Sequence, residues 1–458
     1  MMFLSLSHLL LLFYFTLASK SACGIAVPSP PSVECKNHGR TCRIYNYQGY
    51  WEDRKDCEAG YAAWPKSEAE LVHAVAGAVK IKQKIRVVSG LAHALPKLVC
   101  PGREGLIINT QNYASVISVN KTAMTITVQG GTMMRDVMEE AANQGFAVPA
   151  MIYWNGVSAA GVISTGAHGS GLAGKGSGVY EYVVSMRLVV PASPSEGYAK
   201  VITLTEEDED MKAARISLGT LGAISEITFA LQPMFKRSVS ISVENDTDLE
   251  TEAERFLRTY EFGDIEWVPS HGKAVYMKKY GVPLDVPGNG ENALVTRGFR
   301  VIDIETAAYH YDDLRSREDL DGICSVLERQ SISSVALGNG FVNDGSRFTG
   351  YPVVGFNHRM QSFGGCQGNS SNNYDFPKIL DKNDTICSYD RRAHTTLSFG
   401  VEVRVPMSHF IDVIKDIKKL RDLNPKKLCQ VYDIVIRSIK KSEAYLGPKE
   451  DMVFNGFD

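Results

Sequence analysis

The strongest constraint on this chain is the run Gly156-Val157-Ser158-Ala159-Ala160-Gly161-Val162-Ile163-Ser164-Thr165-Gly166-Ala167-His168-Gly169-Ser170-Gly171. Residues this small let other atoms approach the main chain closely, and glycine alone adopts left-handed conformations without strain. A diphosphate needs several N–H donors converging at short range, a geometry that side chains beyond Cβ would obstruct. The same residues also suit a tight loop between strands, so the run taken alone leaves both readings open.

A second small-residue turn, Ser89-Gly90-Leu91-Ala92-His93, follows a predicted strand over 84–88. Two such turns can face one dinucleotide. Neither has the G-x-G-x-x-G spacing that opens a helix in nicotinamide-binding folds, which points to a flavin instead.

Around these turns the pattern alternates between helix and strand. Ser67 is a good N-cap, Glu70 completes a capping box, and Leu71, Val72, Val75 and Val79 form an apolar stripe, so a helix begins there and leads into the strand over 84–88. Short strands follow over 107–109, 114–119 and 124–128, then a helix over 132–143 stopped by Gly145, then strands over 182–190, 201–204 and 223–231. Beyond about Lys236, strands over 239–243 and 398–405 mix with a helix over 407–420, the pattern of an antiparallel sheet backed by helices. The expected fold class is α+β: a leader over 1–22, a two-lobed ligand-binding domain over 57–235, and a second α+β domain over 236–458.

The chain has 458 residues, 44% hydrophobic and 22% charged, enough to bury the core of two or three domains. A net charge of -3 supplies no basic face for nucleic acid, which leaves a small molecule as the expected partner. Past the N-terminus no apolar run is long enough to span a bilayer. Residues 3–17 are almost wholly apolar and are followed by Ala18, Ser19, Ser21 and Ala22, the pattern of a cleaved secretory leader. The first arginine is Arg40, which weighs against the alternative of a mitochondrial presequence. Nine cysteines, three of them crowded at Cys35, Cys42 and Cys57, fit disulfides in a secreted chain, although spacing does not give their connectivity. Four sequons, at Asn120, Asn245, Asn369 and Asn383, fit a glycoprotein. No metal site is expected.

Trp64-Pro65 with its helix, residues 86–93, Val128-Gln129-Gly130-Gly131-Thr132, residues 156–171 and Ser217-Leu218-Gly219-Thr220-Leu221-Gly222 together resemble the vanillyl-alcohol-oxidase type of FAD-binding domain. From about Cys35 to about Asp451 the chain is similar to the plant L-gulonolactone oxidases. That resemblance implies FAD as cofactor and an aldonolactone as substrate, with electrons passing to oxygen or another acceptor in ascorbate synthesis. It implies cofactor contacts from Ser89, Gly90, His93, Gly156, Ser158, Gly161, Ser164, Thr165, Gly166, His168, Gly169, Gly222 and Ile224, with His93 at the position of a covalent flavin tether. It also assigns catalysis to Glu402 and Arg404, which share one face of a strand. Glu402 would orient the substrate hydroxyl, and Arg404 would stabilise negative charge on substrate or reduced flavin.

Two departures stand beside the resemblance. Leu91 and Ala92 precede His93 where relatives are glycine-rich, which bears on the tether. The family's C-terminal His-Trp-Gly-Lys segment is also lacking: Ser442 to Gly447 is the last match, and residues 449–458 resemble no family ending. The expectation is a C-terminally truncated oxidase of impaired activity. The alternatives are a non-catalytic flavin-binding remnant, a flavin oxidase of another sugar or alcohol, and a cofactor-free binding module.

Overall fold

The computed structural model describes residues 33–36, 38–44, 57–89, 96–153, 155–293, 299–300, 313–314, 316–319, 321–322, 325, 338–345, 347–360, 385–386, 401–423 and 434–457. Strands β1 (Val33–Lys36), β2 (Arg40–Ile44), β3 (Cys57–Ala63), β4 (Ile85–Val88) and β5 (Gly102–Asn109) form a first sheet in the order β1-β2-β3-β5-β4. Both β3 and β4 run parallel to β5, which requires a crossover, and helix α1 (Glu68–Lys80) supplies it. Helix α1 starts where Ser67 accepts the N–H of Glu70 at 3.2 Å. The Glu70 carboxylate accepts from Lys66 N at 2.8 Å, one residue outside the position expected of a capping box. Leu71, Val75 and Ala78 form the buried stripe. Disulfides Cys35–Cys42 and Cys57–Cys100 close this lobe among the described residues.

The second sheet contains β6 (Val116–Asn120), β7 (Thr125–Gln129), β8 (Val183–Pro191), β9 (Ala199–Thr205) and β10 (Ala223–Ala230), in the order β9-β8-β10-β7-β6 and antiparallel throughout. Helices α2 (Met134–Asn143) and α3 (Ala159–Thr165) bury Val137, Met138, Val162 and Ile163 in one core with Ile126, Ile227 and Phe229. Helix α3 departs from the expected loop. Ser158 caps Gly161 N at 3.2 Å, Ala159, Val162 and Ile163 are buried, and Gly166 ends the helix in the left-handed conformation at φ 69°. The glycines concealed an apolar helical spacing between them.

A third, seven-stranded antiparallel sheet comprises β11 (Lys236–Asn245), β12 (Asp264–Val268), β13 (Lys273–Val282), β14 (Val353–Phe356), β15 (Val401–Pro406), β16 (Ile434–Ile439) and β17 (Met452–Phe457). Its order is β14-β11-β13-β12-β16-β17-β15. Helices α4 (Leu249–Thr259) and α5 (Phe410–Leu423) cover one face, with Leu257, Phe410 and Ile414 packed over Trp267 and Ile436. Strand β15, which carries Glu402 and Arg404, is at the edge and pairs with β17, whose other neighbour is β16. Residues 452–457 therefore complete the sheet between two partners.

The first two lobes are clamped by charge. Arg187 on β8 meets Glu68 at the start of α1 through two nitrogens, at 2.6 and 2.9 Å. Ser225 on β10 donates to the same carboxylate at 2.7 Å, and Tyr113 OH lies 3.1 Å from Ser225 Oγ. The hydrogen bonds from Arg187 hold the Glu68 carboxyl below the usual carboxylate range, against an opposing effect of burial. Elsewhere, burial reinforced by Arg359 pushes His358 down to about 4.

Two outcomes follow. Glu68→Gln replaces a charge-assisted fork with neutral bonds, and urea unfolding should show a loss of about 1–3 kcal/mol. His358 takes up a proton more readily unfolded than folded, so its contribution is complete above the unfolded value near 6.5 and is lost as pH falls toward 4. The melting temperature should drop through that window, and His358→Gln should flatten the drop.

Candidate functional site

Ser89, where the first small-residue turn begins, and the start of the run over 156–166 lie on one seam between the lobes. Thr110 donates from Oγ1 to Val88 O at 3.1 Å, just before Ser89, and the Thr110 carbonyl backs Gly131, where a Cβ would collide with it. Gly130 N donates to Ser225 O at 2.7 Å, Ala160 N to Gly130 O at 3.0 Å, and Ala159 N to Thr132 O at 2.8 Å. A Cβ on Gly130 would strike the Ile224 carbonyl, and Leu218 N donates to Ser164 O at 2.8 Å. The end of β4, the Gly130-Gly131 turn, the start of α3 and the stretch 217–225 are thus contiguous.

The structure places Ser89, Gly156, Ser158, Gly161, Ser164, Thr165, Gly166, Gly222 and Ile224 on or beside this seam. Thr165 Oγ1 donates to Gly161 O at 2.9 Å, while among the described residues no partner engages the hydroxyls of half-buried Ser89 and Ser164. Gly90 and His93 lie outside the described residues. His168 is buried, its Nδ1 2.7 Å from Gly169 O, and it bridges to Gly178. Beyond it the glycines are small for a different reason from the one expected. A Cβ on Gly169 would collide with Met151 O, and one on Gly171 with Glu261 O, so protein backbone takes the space there. Gly171 N donates to Ser438 O at 2.9 Å, docking the loop on β16.

Glu402 and Arg404 lie two residues apart on edge strand β15. Arg404 is exposed and close enough to Tyr180 to act on its phenol, whose pKa burial raises. Tyr180 is two residues past Gly178, so Arg404 faces the segment that continues the glycine run.

Whether these residues suit a flavin dinucleotide is tested by Asn155. Its side chain is 0% exposed, and both the amide nitrogen and oxygen lack a partner. A buried amide with an unused donor and acceptor is costly unless a ligand supplies the complement. It sits immediately before Gly156, and with the free Ser89 and Ser164 hydroxyls it provides hydrogen-bonding groups along a seam of close backbone. The residues fit a flavin dinucleotide.

Sequence reasoning missed a buried ionic cluster at the junction with the third sheet. Lys279 Nζ lies 2.7 Å from the Asp264 carboxylate, at side-chain exposures of 1% and 2%, and Tyr153 OH donates to Asp264 Oδ2. Burial lowers the Lys279 pKa against the pull of Asp264, and burial, then Asp264, raises the Tyr153 pKa well above its usual value. The signal was present: Val275, Met277 and Lys279 share one face of β13, so a charge interrupts an apolar stripe.

A family model described as an FAD binding domain matches residues 59–193. The chain is 37% identical to L-gulonolactone oxidase 3 of Arabidopsis thaliana over 448 residues, covering 94% of this chain and 73% of that protein. It is 38% identical to L-gulonolactone oxidase 2 of the same plant over 435 residues, covering 93% and 72%. Among solved structures, a variant of the cholesterol oxidase from Brevibacterium sterolicum is similar with a TM-score of 0.64 at 13% identity, covering 94% of this chain and 82% of that one. At that identity the likeness shows a shared fold. The expected α+β class, the FAD-binding domain and FAD as cofactor are borne out.

Removing one member of the buried pair leaves the other charge uncompensated, so Asp264→Asn or Lys279→Met should each cost about 3–5 kcal/mol in urea unfolding. The double change to Asn and Met should recover a large part of that loss.

Proposed function

Because the chain belongs to the L-gulonolactone oxidase family of FAD-dependent oxidoreductases, we propose that it oxidises L-gulono-1,4-lactone, with oxygen as acceptor, in the route that makes ascorbate. The observation that carries this reading is the similarity to two L-gulonolactone oxidases over 94% and 93% of this chain. The seam of close backbone and unpartnered polar groups supports it from the side of the cofactor.

In this reading residues 57–235 hold FAD and residues 236–458 shape the substrate side. Ser89, Gly90, Gly156, Ser158, Gly161, Ser164, Thr165, Gly166, Gly222 and Ile224 line the dinucleotide, joined by Asn155, while His93 tethers the flavin. His168 and Gly169 shape the loop that follows. The bound flavin supplies a two-electron acceptor for the hydride leaving the carbinol carbon. Glu402 orients the substrate hydroxyl and takes its proton, and Arg404 stabilises the negative charge that grows on the oxygen as that proton leaves, before the C–H pair departs as hydride and the carbonyl forms. The product is the 2-keto lactone, whose enol is ascorbate, and oxygen receives two electrons and two protons to become hydrogen peroxide. In the same reading the apolar residues 3–17 act as a leader, and together with the sequons they favour the secretory route. Asn120 and Asn245 are exposed, as glycan acceptors must be.

Anaerobic addition of L-gulono-1,4-lactone to the FAD-loaded protein should bleach the flavin, and admitting oxygen should restore it with release of peroxide. Bleaching by a different lactone or alditol alone would move the substrate, and bound flavin that no such compound bleaches would make the chain a non-catalytic flavin binder. Glu402→Gln should lower kcat about 100- to 1,000-fold at unchanged flavin content.

Acid precipitation should leave flavin attached to the unaltered protein and release it from His93→Ala. Complete release from both would exclude the tether while leaving the binding seam intact.

A further inference from the structure

A cavity of about 90 Å³ opens where residues 149–153 and 170–177 meet the third sheet. It is lined in part by Arg237, Gln232, Glu261 and Phe262. Arg237 is only 5% exposed, yet among the described residues its guanidinium makes no hydrogen bond or ion pair, and its close partner is the Phe262 ring, 3.6 Å from Cζ. Asp264, the nearby buried carboxylate, is engaged by Lys279 at 2.7 Å. Glu261 accepts from Gly281 N at 3.1 Å and acts on Arg237 only through space. A ring face stabilises a cation but cannot accept the five N–H groups of a guanidinium. The fork is therefore buried beside a cavity without an acceptor.

We propose that this cavity binds a short α-hydroxy carboxylate, with Arg237 pairing to the carboxylate and Glu261 and Gln232 receiving the hydroxyl. The planar fork matches two coplanar oxygens, which a carboxylate presents and a halide does not. Size sets the length: at about 10–15 Å³ per water-sized position, the cavity holds about six to nine non-hydrogen atoms. That admits a three- or four-carbon acid and excludes a dinucleotide. Among the described residues the Gln232 amide has no partner, so it is free to bond an incoming hydroxyl, which can in turn donate to Glu261. The Glu261 charge also disfavours a second carboxylate on the ligand, so monoanions are selected over dianions. Since the site does not draw on Glu402, Arg404 or lactone turnover, it stands or falls separately from the proposed reaction.

The test is calorimetric titration of the FAD-loaded full chain at constant ionic strength with lactate, glycerate, propionate, malonate and sulfate. Lactate and glycerate should bind saturably at one site. Propionate, lacking the hydroxyl, should bind about 10-fold more weakly, with malonate and sulfate weaker still. Arg237→Gln should weaken lactate at least about 10-fold, and Glu261→Gln should remove the preference for lactate over propionate, both at unchanged flavin content. If Arg237→Gln does not fold, the ligand series on the unaltered protein decides. The proposal is overturned if no carboxylate binds, if sulfate binds as tightly as lactate, if Arg237→Gln binds lactate normally, or if the titration displaces flavin, which would make the cavity part of the cofactor site.

Discussion

The arrangement of the cofactor-binding half depends on one hydrogen-bonded charge cluster, the fork of Arg187 on the Glu68 carboxylate with Ser225 and Tyr113 attached. Each member comes from a different element: the start of α1, strands β8 and β10, and the segment after β5. Apolar packing draws α1 onto the second sheet through Leu71, Val75 and Ala78 against Val189 and Ala223, but such contacts are non-directional and tolerate sliding. A bidentate pair does not tolerate it. The cluster therefore sets the register between lobes, and with it the positions of Ser89, Gly130 and the start of α3 along the seam.

A second dependence runs from that seam to the third sheet. Gly169 and Gly171 accept carbonyls where any Cβ would collide, and Gly171 and Ser177 bond to Ser438 on β16. The glycine run thus serves two ends: its first half backs the seam between the lobes, and its second half lets the loop dock against the sheet that carries Glu402 and Arg404. Next to that docking lies the Asp264–Lys279–Tyr153 cluster, where charge is buried and must stay paired.

Much of this was legible in the residues. The cap at Ser67, the apolar stripe of α1 and the alternation along the strands of the second sheet follow from local chemistry, and their ends fall close to the expected positions. The first half of the small-residue run likewise pointed to the seam, although the same density of small residues in its second half serves backbone docking. What was not legible depends on distance in the chain. Helix α3 was hidden because glycine content outweighed the spacing of Ala159, Val162 and Ile163. The lobe clamp joins residues more than a hundred positions apart, and nothing near Glu68 marks Arg187 as its partner. The free amide of Asn155 and the unpaired fork of Arg237 become visible only once the neighbours that fail to satisfy them are in place. Glu402 and Arg404 were singled out by resemblance alone; their strand by itself would read as an ordinary edge.

The most direct measurement of the central claim, that FAD lies along the seam between the first two lobes, is amide hydrogen exchange compared between flavin-free and flavin-loaded protein. Slowed exchange concentrated in residues 86–89, 130–132, 155–166 and 217–225, with the outer strands of the third sheet unchanged, is the predicted result. Protection that bypasses those segments, or that is confined to the third sheet, would contradict it.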